Sequence, residues 1–333
     1  MNTKTIDIAN IALMLISCVA AFVIPFELFL FSYAVLGPLH YLTEISWLHK
    51  RQYFTTGKFD YLFLCVLGVL LFLFNFVFTE FGVVATLLLF VAFFYSLSCV
   101  LFKNFIYKLL FIGVAFIIGG VIQKATPFVL LFGIFLPTLI HVFLFTGLFI
   151  LQGALKNKSV TGIISLVIFS ICAISFFVFY PQFNFYHATE YAKSALTEST
   201  FINLNSSIIN IFHLGQLTRE NFTLTVFESN VGLSIMRFIA FAYTYHYLNW
   251  FSKTQVIKWH QVPKKQLAIV IGLWLFSVAL YAYNYYIGLV ALYLLSMLHV
   301  LLEFPLNYRS LIGIGEEIFA LAGIKKPVAV KKK

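Results

Sequence analysis

Runs of about twenty apolar residues, repeated along most of the chain with short charged breaks between them, limit what it can fold into. Residues 127–152 and 160–180 contain no Asp, Glu, Lys or Arg. A helix needs roughly 20 apolar residues to cross a bilayer, so each run is long enough to span. The composition agrees. Only 10% of the 333 residues are charged, at a mean hydropathy of +0.96, against about 25% charged in a soluble domain. So few charges cannot cover a water-facing surface. The sequence predicts an all-α, polytopic membrane helix bundle, organised as a single integral membrane domain over 1–333.

Ten candidate spans can be read, over about 8–24, 26–48, 59–79, 82–102, 104–123, 127–152, 160–180, 230–251, 266–283 and 286–306. Pro25 and Glu27 separate the first two, which predicts a tight hairpin. Basic residues concentrate in cytoplasmic loops, and this rule sets the orientation. With the N-terminus inside, the inner segments carry Lys4; Lys50, Arg51 and Lys58; Lys103; Lys156 and Lys158; Lys253, Lys258, Lys264 and Lys265; and Arg309 with the lysine tail. The outer segments carry only Lys124, Lys193 and Arg219. The expectation is a multi-pass protein of a bacterial inner membrane with both termini cytoplasmic. Leu15-Ile16-Ser17-Cys18 resembles a lipoprotein cleavage box, but the basic region before it is poor, so the segment reads as a first helix.

Residues 181–229 break the membrane pattern. They read as an extracytoplasmic, partly helical segment, with Ile208, Ile209, Ile211, Phe212 and Leu214 suggesting a short amphipathic helix that lies on the outer membrane face or caps the bundle. Cys18, Cys65, Cys99 and Cys172 lie in apolar runs without CxxC spacing and read as free buried thiols. The formal charge of +10 is better explained by membrane orientation than by nucleic acid, since no stripe of basic and aromatic residues is present. The expected partners are membrane lipids or an apolar small molecule.

Polar side chains inside a bilayer are costly and tend to mark function. The in-membrane set is His40, Glu44, His141, His246, His299 and Glu303, with Arg237 in the same span as His246. The four histidines lie on the second, sixth, eighth and tenth spans, all running from outside to inside. His40 is nine residues before His49 at the inner end, His141 fifteen before Lys156, His246 seven before Lys253 and His299 ten before Arg309. At about 1.5 Å per residue, all four fall at or below the midplane on the cytoplasmic side, which predicts one shared cavity. His40 and Glu44 are four apart and share a face, as do His299 and Glu303. Tyr33, Gly37, Trp47, Thr138, Tyr243, Asn249, Trp250 and Ser296 are placed to support the imidazoles. His49, His187, His213 and His260 fall outside this layer. Arg237 points away from His246 and is expected to pair with Glu228 or a lipid headgroup.

His40, His141, His246 and His299 are therefore read as metal ligands, with Glu44 and Glu303 as catalytic carboxylates, further ligands or acceptors that fix the imidazole tautomers. Imidazole with carboxylate suits iron or, alternatively, zinc. Neither an HExxH zinc motif nor the histidine boxes of typical fatty-acid desaturases occur. The expected activity is oxidation of a lipid or isoprenoid by non-haem iron. The rival reading is a proton- or ion-coupled transporter using the same His and Glu residues. A third is a scaffold presenting residues 181–229.

"GPLHYLTE", residues 37–44, resembles the PHGxxD segment of the bacterial and archaeal beta-carotene 15,15'-dioxygenase-like membrane proteins. "YTYHYLNW", residues 243–250, loosely resembles their later histidine-bearing helix. Tyr41 stands in place of the family's glycine, and Trp250 in place of its second histidine. The resemblance implies a multi-spanning helical fold, iron held by His40 and His246, Glu44 in place of an aspartate, and a carotenoid substrate.

Overall fold

A computed structural model describes residues 3–179, 186–218, 220–253, 258 and 261–323. His260 and Arg219 lie outside them. Among the described residues the protein is helical, with no strand. The helices are α1 (Thr3–Val23), α2 (Pro25–His49), α3 (Asp60–Phe76), α4 (Gly82–Leu101), α5 (Phe105–Ile122), α6 (Thr126–Lys156), α7 (Val160–Val178), α8 (Glu190–Glu198), α9 (Ile202–Ile211), α10 (Phe222–Phe227), α11 (Asn230–Ser252), α12 (Lys264–Tyr283) and α13 (Tyr285–Leu321).

Each of the ten sequence-read segments coincides with a helix. Among the described residues, eight of these helices are long and apolar enough to cross a membrane. The other two differ for physical reasons. Helix α3 has 17 residues. Helix α11 is long enough, but it carries Arg237, His246 and three tyrosines and is buried along most of its length.

The helix starts follow local chemistry. Asn104, Ser159, Thr189, Ser229 and Asn284 each accept a hydrogen bond from a first-turn backbone N–H, as N-cap side chains do. The expected hairpin between α1 and α2 turns at Ile24, with Pro25 opening α2. Glu27 ties this hairpin to the following segment: its carboxylate accepts from the Tyr186 hydroxyl at 2.6 Å and from the Thr189 N–H and hydroxyl at 3.0 and 2.9 Å.

Two helices that carry the site have a π-helical segment beside or around a proline. In α2 residues 32–36 form a π-helical turn just before Gly37-Pro38, with the Gly37 N–H donating to the Ser32 carbonyl. Proline has no N–H to give its preceding turn, and within that turn the Val35 carbonyl accepts from the Trp274 indole at 2.8 Å. In α6 residues 129–145 form a long π-helical stretch around Pro137. Such segments are rare and often mark functional sites.

The apolar interior forms two clusters. One gathers α1, α2, α7 and α11 with the short helices α8–α10; the other gathers α3, α4, α6 and α13. They meet where α2, α6, α11 and α13 bring their histidines together. Helices α8–α10 lie at one end of the bundle, its capped end. In α9 Ile208 and Ile209 are buried as the amphipathic reading expected, whereas Phe212 and Leu214 are exposed. Helix α13 runs 37 residues, about 55 Å. It continues through Pro305, and Glu303 is interior and 1% exposed.

Candidate metal centre

All six sequence-read residues are buried and converge. His40 and His246 face each other with Nε2 atoms 3.2 Å apart, and His141 and His299 with Nε2 atoms 3.0 Å apart. Ring centroids between the pairs are 5.2 Å for His40 and His299 and 5.0 Å for His141 and His246. Glu44 Oε2 lies 2.9 Å from His40 Nε2, and Glu303 Oε2 lies 3.4 Å from His141 Nδ1. His40, His246 and His299 each offer a ligand atom within 4.8 Å of the others, and so do His141, His299 and Glu303. This buried cluster could hold a metal ion.

For His246 and His299 the hydrogen bond at Nδ1 decides what Nε2 can do. The Thr146 hydroxyl donates its only proton to the Val142 carbonyl at 2.8 Å. It must therefore accept from His246 Nδ1–H, also at 2.8 Å. That fixes the His246 tautomer and turns the Nε2 lone pair toward His40. His299 Nδ1–H donates to the Ser296 carbonyl, which turns its Nε2 lone pair toward His141. If His141 donates Nδ1–H to Glu303, its own Nε2 presents a lone pair as well. Facing lone pairs repel unless a proton or cation lies between them. For metal–nitrogen bonds of about 2.1 Å, adjacent nitrogens of a tetrahedral or octahedral site stand about 3.0–3.4 Å apart, which the two Nε2 pairs match.

The unsatisfied atoms point the same way. His40 Nδ1, His141 Nδ1, Glu44 Oε2 and Glu303 Oε2 are all enclosed and lack a hydrogen bond of good geometry. Buried polar atoms are rarely left so. A cation within the layer would satisfy the carboxylates.

Aromatic and polar neighbours hold the imidazoles. Tyr41 stacks on His299 at 4.4 Å and 23°, and its hydroxyl meets that of Tyr247 at 3.1 Å. The Trp250 indole packs edge-on to His40 and donates to Thr43 at 2.9 Å. Of the expected supporting residues, Ser296 reaches a histidine through its backbone carbonyl. The Thr138 hydroxyl donates to Ile134 and does not reach His141. Thr146, Tyr41 and Tyr247 were missed. Thr146 had one signal, a lone hydroxyl in the run "FLFTGLFI".

Two cavities meet at this layer. One, of about 470 Å³, extends from it toward the capped end and touches His141 and His299. The other, of about 260 Å³, touches His40, Glu44, His246 and Glu303 from the opposite side, where Lys156 and Lys253 also line it. Burial lowers the Lys253 ammonium's affinity for its proton, while Glu44 and Glu303 raise it.

His49 is outside the layer and within 3.2 Å of the Tyr53 hydroxyl. His187 and His213 are exposed. Arg237 does not pair with Glu228. It is buried, with its guanidinium 5.5 Å from the Phe22 ring centre, and Glu228 lies near Lys193. No family model, curated protein or solved structure matches the chain.

Proposed function

We propose that this is a ten-span membrane enzyme of a bacterial inner membrane, with both termini cytoplasmic and the capped end outside. Its His40–His141–His246–His299 layer holds a non-haem metal, iron in preference to zinc, and it acts oxidatively on a lipid or isoprenoid such as a carotenoid. The observation that carries this reading is the convergence of four buried imidazoles, two with Nε2 lone pairs aimed into the layer by Thr146 and Ser296. The two enclosed carboxylates support it. The nitrogen and oxygen donor set, with no thiolate, favours iron or zinc, and the resemblance of residues 37–44 favours iron.

Iron bound there would supply one-electron redox chemistry and dioxygen binding. The protein's part is to fix and shield. Thr146 and the Ser296 carbonyl hold two tautomers, Tyr41 restrains the His299 ring by stacking on it, and Glu303 supports His141. The larger cavity seats an apolar substrate against His141 and His299, away from bulk water. Glu44 and Glu303 sit at the edge of the smaller cavity, where they can hold or pass a proton.

A second reading has its own supporting observation. Two cavities meeting at one polar layer near the middle of the bundle also suit a transporter, whose site is reached from alternate sides. The same measurement separates the two. Metal content by elemental mass spectrometry, on detergent-purified protein beside folded His40→Ala and His299→Ala variants, is expected to give near-stoichiometric iron that both variants lose. Zinc with the same loss would redirect the reading to hydrolysis. Protein that takes up neither metal when supplied with it would sink the enzyme reading and put proton-coupled flux in its place.

A further inference from the structure

The larger cavity is more polar than a hydrocarbon chamber needs to be. Tyr33, Tyr41, Tyr243, Tyr247, Tyr286 and Tyr293 line it. Four of their hydroxyls are accounted for or face outward. Tyr41 and Tyr247 bond each other, Tyr33 meets Ser296 at 3.3 Å, and Tyr286 is 42% exposed at the rim. The hydroxyls of Tyr243 and Tyr293 have no hydrogen-bond partner among the described residues. Tyr243 is only 4% exposed, yet its oxygen is not among the enclosed unpaired atoms, so it faces the open space of the chamber.

Their rings are nevertheless held. Tyr243 packs edge-on against Phe29 at 5.1 Å, and Tyr293 against Phe76 at 4.9 Å. They come from different helices, α11 and α13, and so approach the chamber from different sides. A polyene hydrocarbon filling the chamber would bury both hydroxyls without a partner, which is costly. A phenol donates readily and offers a flat face for offset stacking. Exposed Gly82 is part of the chamber's lining, and nothing lies within 4 Å of a Cβ added there. At about 470 Å³ it is large enough for a ring and the first part of a tail.

We propose that this chamber binds a membrane-dissolved molecule with a flat, carbonyl-bearing ring head, of the quinone class, whose ring lies among the tyrosines and whose oxygens accept from Tyr243 and Tyr293. The inference deepens the reading above and rests on the chamber being the substrate side of the histidine layer. It narrows the substrate from any lipid or isoprenoid to one with a polar ring at its reacting end.

The test is equilibrium binding by native mass spectrometry on the full chain in detergent. The probes are a benzoquinone with a ten-carbon tail and a polyene hydrocarbon of similar length. The quinone is expected to bind, and Tyr243→Phe or Tyr293→Phe to weaken it about five- to tenfold each, the loss of one hydrogen bond. Tyr283→Phe, at an 81% exposed position away from the chamber, is expected to change nothing. Both chamber variants keep their rings, and thermal unfolding checks that they fold. The proposal is overturned if the quinone does not bind, if the hydrocarbon binds as tightly, or if the three variants behave alike. Metal content is read on the same samples: quinone binding without metal removes the metal reading and leaves this one, and metal without quinone binding does the reverse.

Discussion

Thr146→Val tests the metal centre without touching a proposed ligand. Valine keeps the shape of threonine, so packing around this 1% exposed side chain is preserved. What is lost is the oxygen that accepts from His246 Nδ1–H at 2.8 Å. The imidazole then has either an unsatisfied buried N–H or the other tautomer, with its Nε2 proton aimed at His40. Leaving a buried donor unpaired costs about 1–3 kcal/mol, and each 1.4 kcal/mol is about tenfold in binding. Metal affinity should therefore fall about 10- to 100-fold, the range found when outer partners of ligating histidines are removed. Chelator-competition titration of purified protein reads this directly. Thr146→Ser restores the oxygen and should recover most of the affinity, which a purely structural role for the methyl group would not produce. Wild-type affinity in the valine variant would refute the tautomer argument. Wild-type affinity in the valine variant with loss in the serine variant would show that packing of the methyl group, not the hydrogen bond, matters at this position.

Two predictions concern stability away from the site. Lys108 and Asp60 form a buried ion pair at 2.6 Å between α5 and α3. Lys108→Met should destabilise by about 3–5 kcal/mol, because it strands a buried carboxylate. The Lys108→Met, Asp60→Leu double variant should recover most of that in thermal unfolding; a double variant no better than the single would contradict the desolvation argument. At Gly232 an added Cβ would lie 2.2 Å from the Val226 carbonyl oxygen and 2.3 Å from that of Thr225. These are backbone atoms that cannot swing aside, so Gly232→Ala should cost about 1–3 kcal/mol and loosen the junction of α10 with α11. An unchanged melting temperature would show that the loop yields freely.

The histidine layer was legible because polar side chains stand out in apolar runs, and because charged loop residues mark where each run ends. Counting residues back from Lys156 or Arg309 placed His141 and His299 at similar depth, and their Nε2 atoms are 3.0 Å apart. Other features are set by tertiary packing or by one residue having two jobs. Thr146 looks ordinary because a membrane threonine commonly bonds the carbonyl four residues back, and this one does so with Val142. Its spare lone pairs become important only when α11 brings His246 beside them. Tyr41 is one position past His40, roughly 100° around the helix, so it was not grouped with the His40 face. It reaches the site by stacking on a histidine of α13.

The misplacement of Thr138 has a more general cause. Faces were assigned with 3.6 residues per turn, which holds for an α-helix. Each i→i+5 bond adds a residue to its turn, and residues 129–145 of α6 are π-helical. A face assigned at the α-helical period drifts out of phase along such a stretch. Thr138 and His141 both line the large cavity, but the Thr138 hydroxyl turns back to the Ile134 carbonyl, while His141 reaches the layer and Thr146, at the start of regular α-helix, meets His246. Pro137 was visible in the sequence, but a proline can end, kink or widen a helix. Packing around the two cavities chooses between these outcomes, so histidine depth could be read from the sequence while the facing of α6 could not.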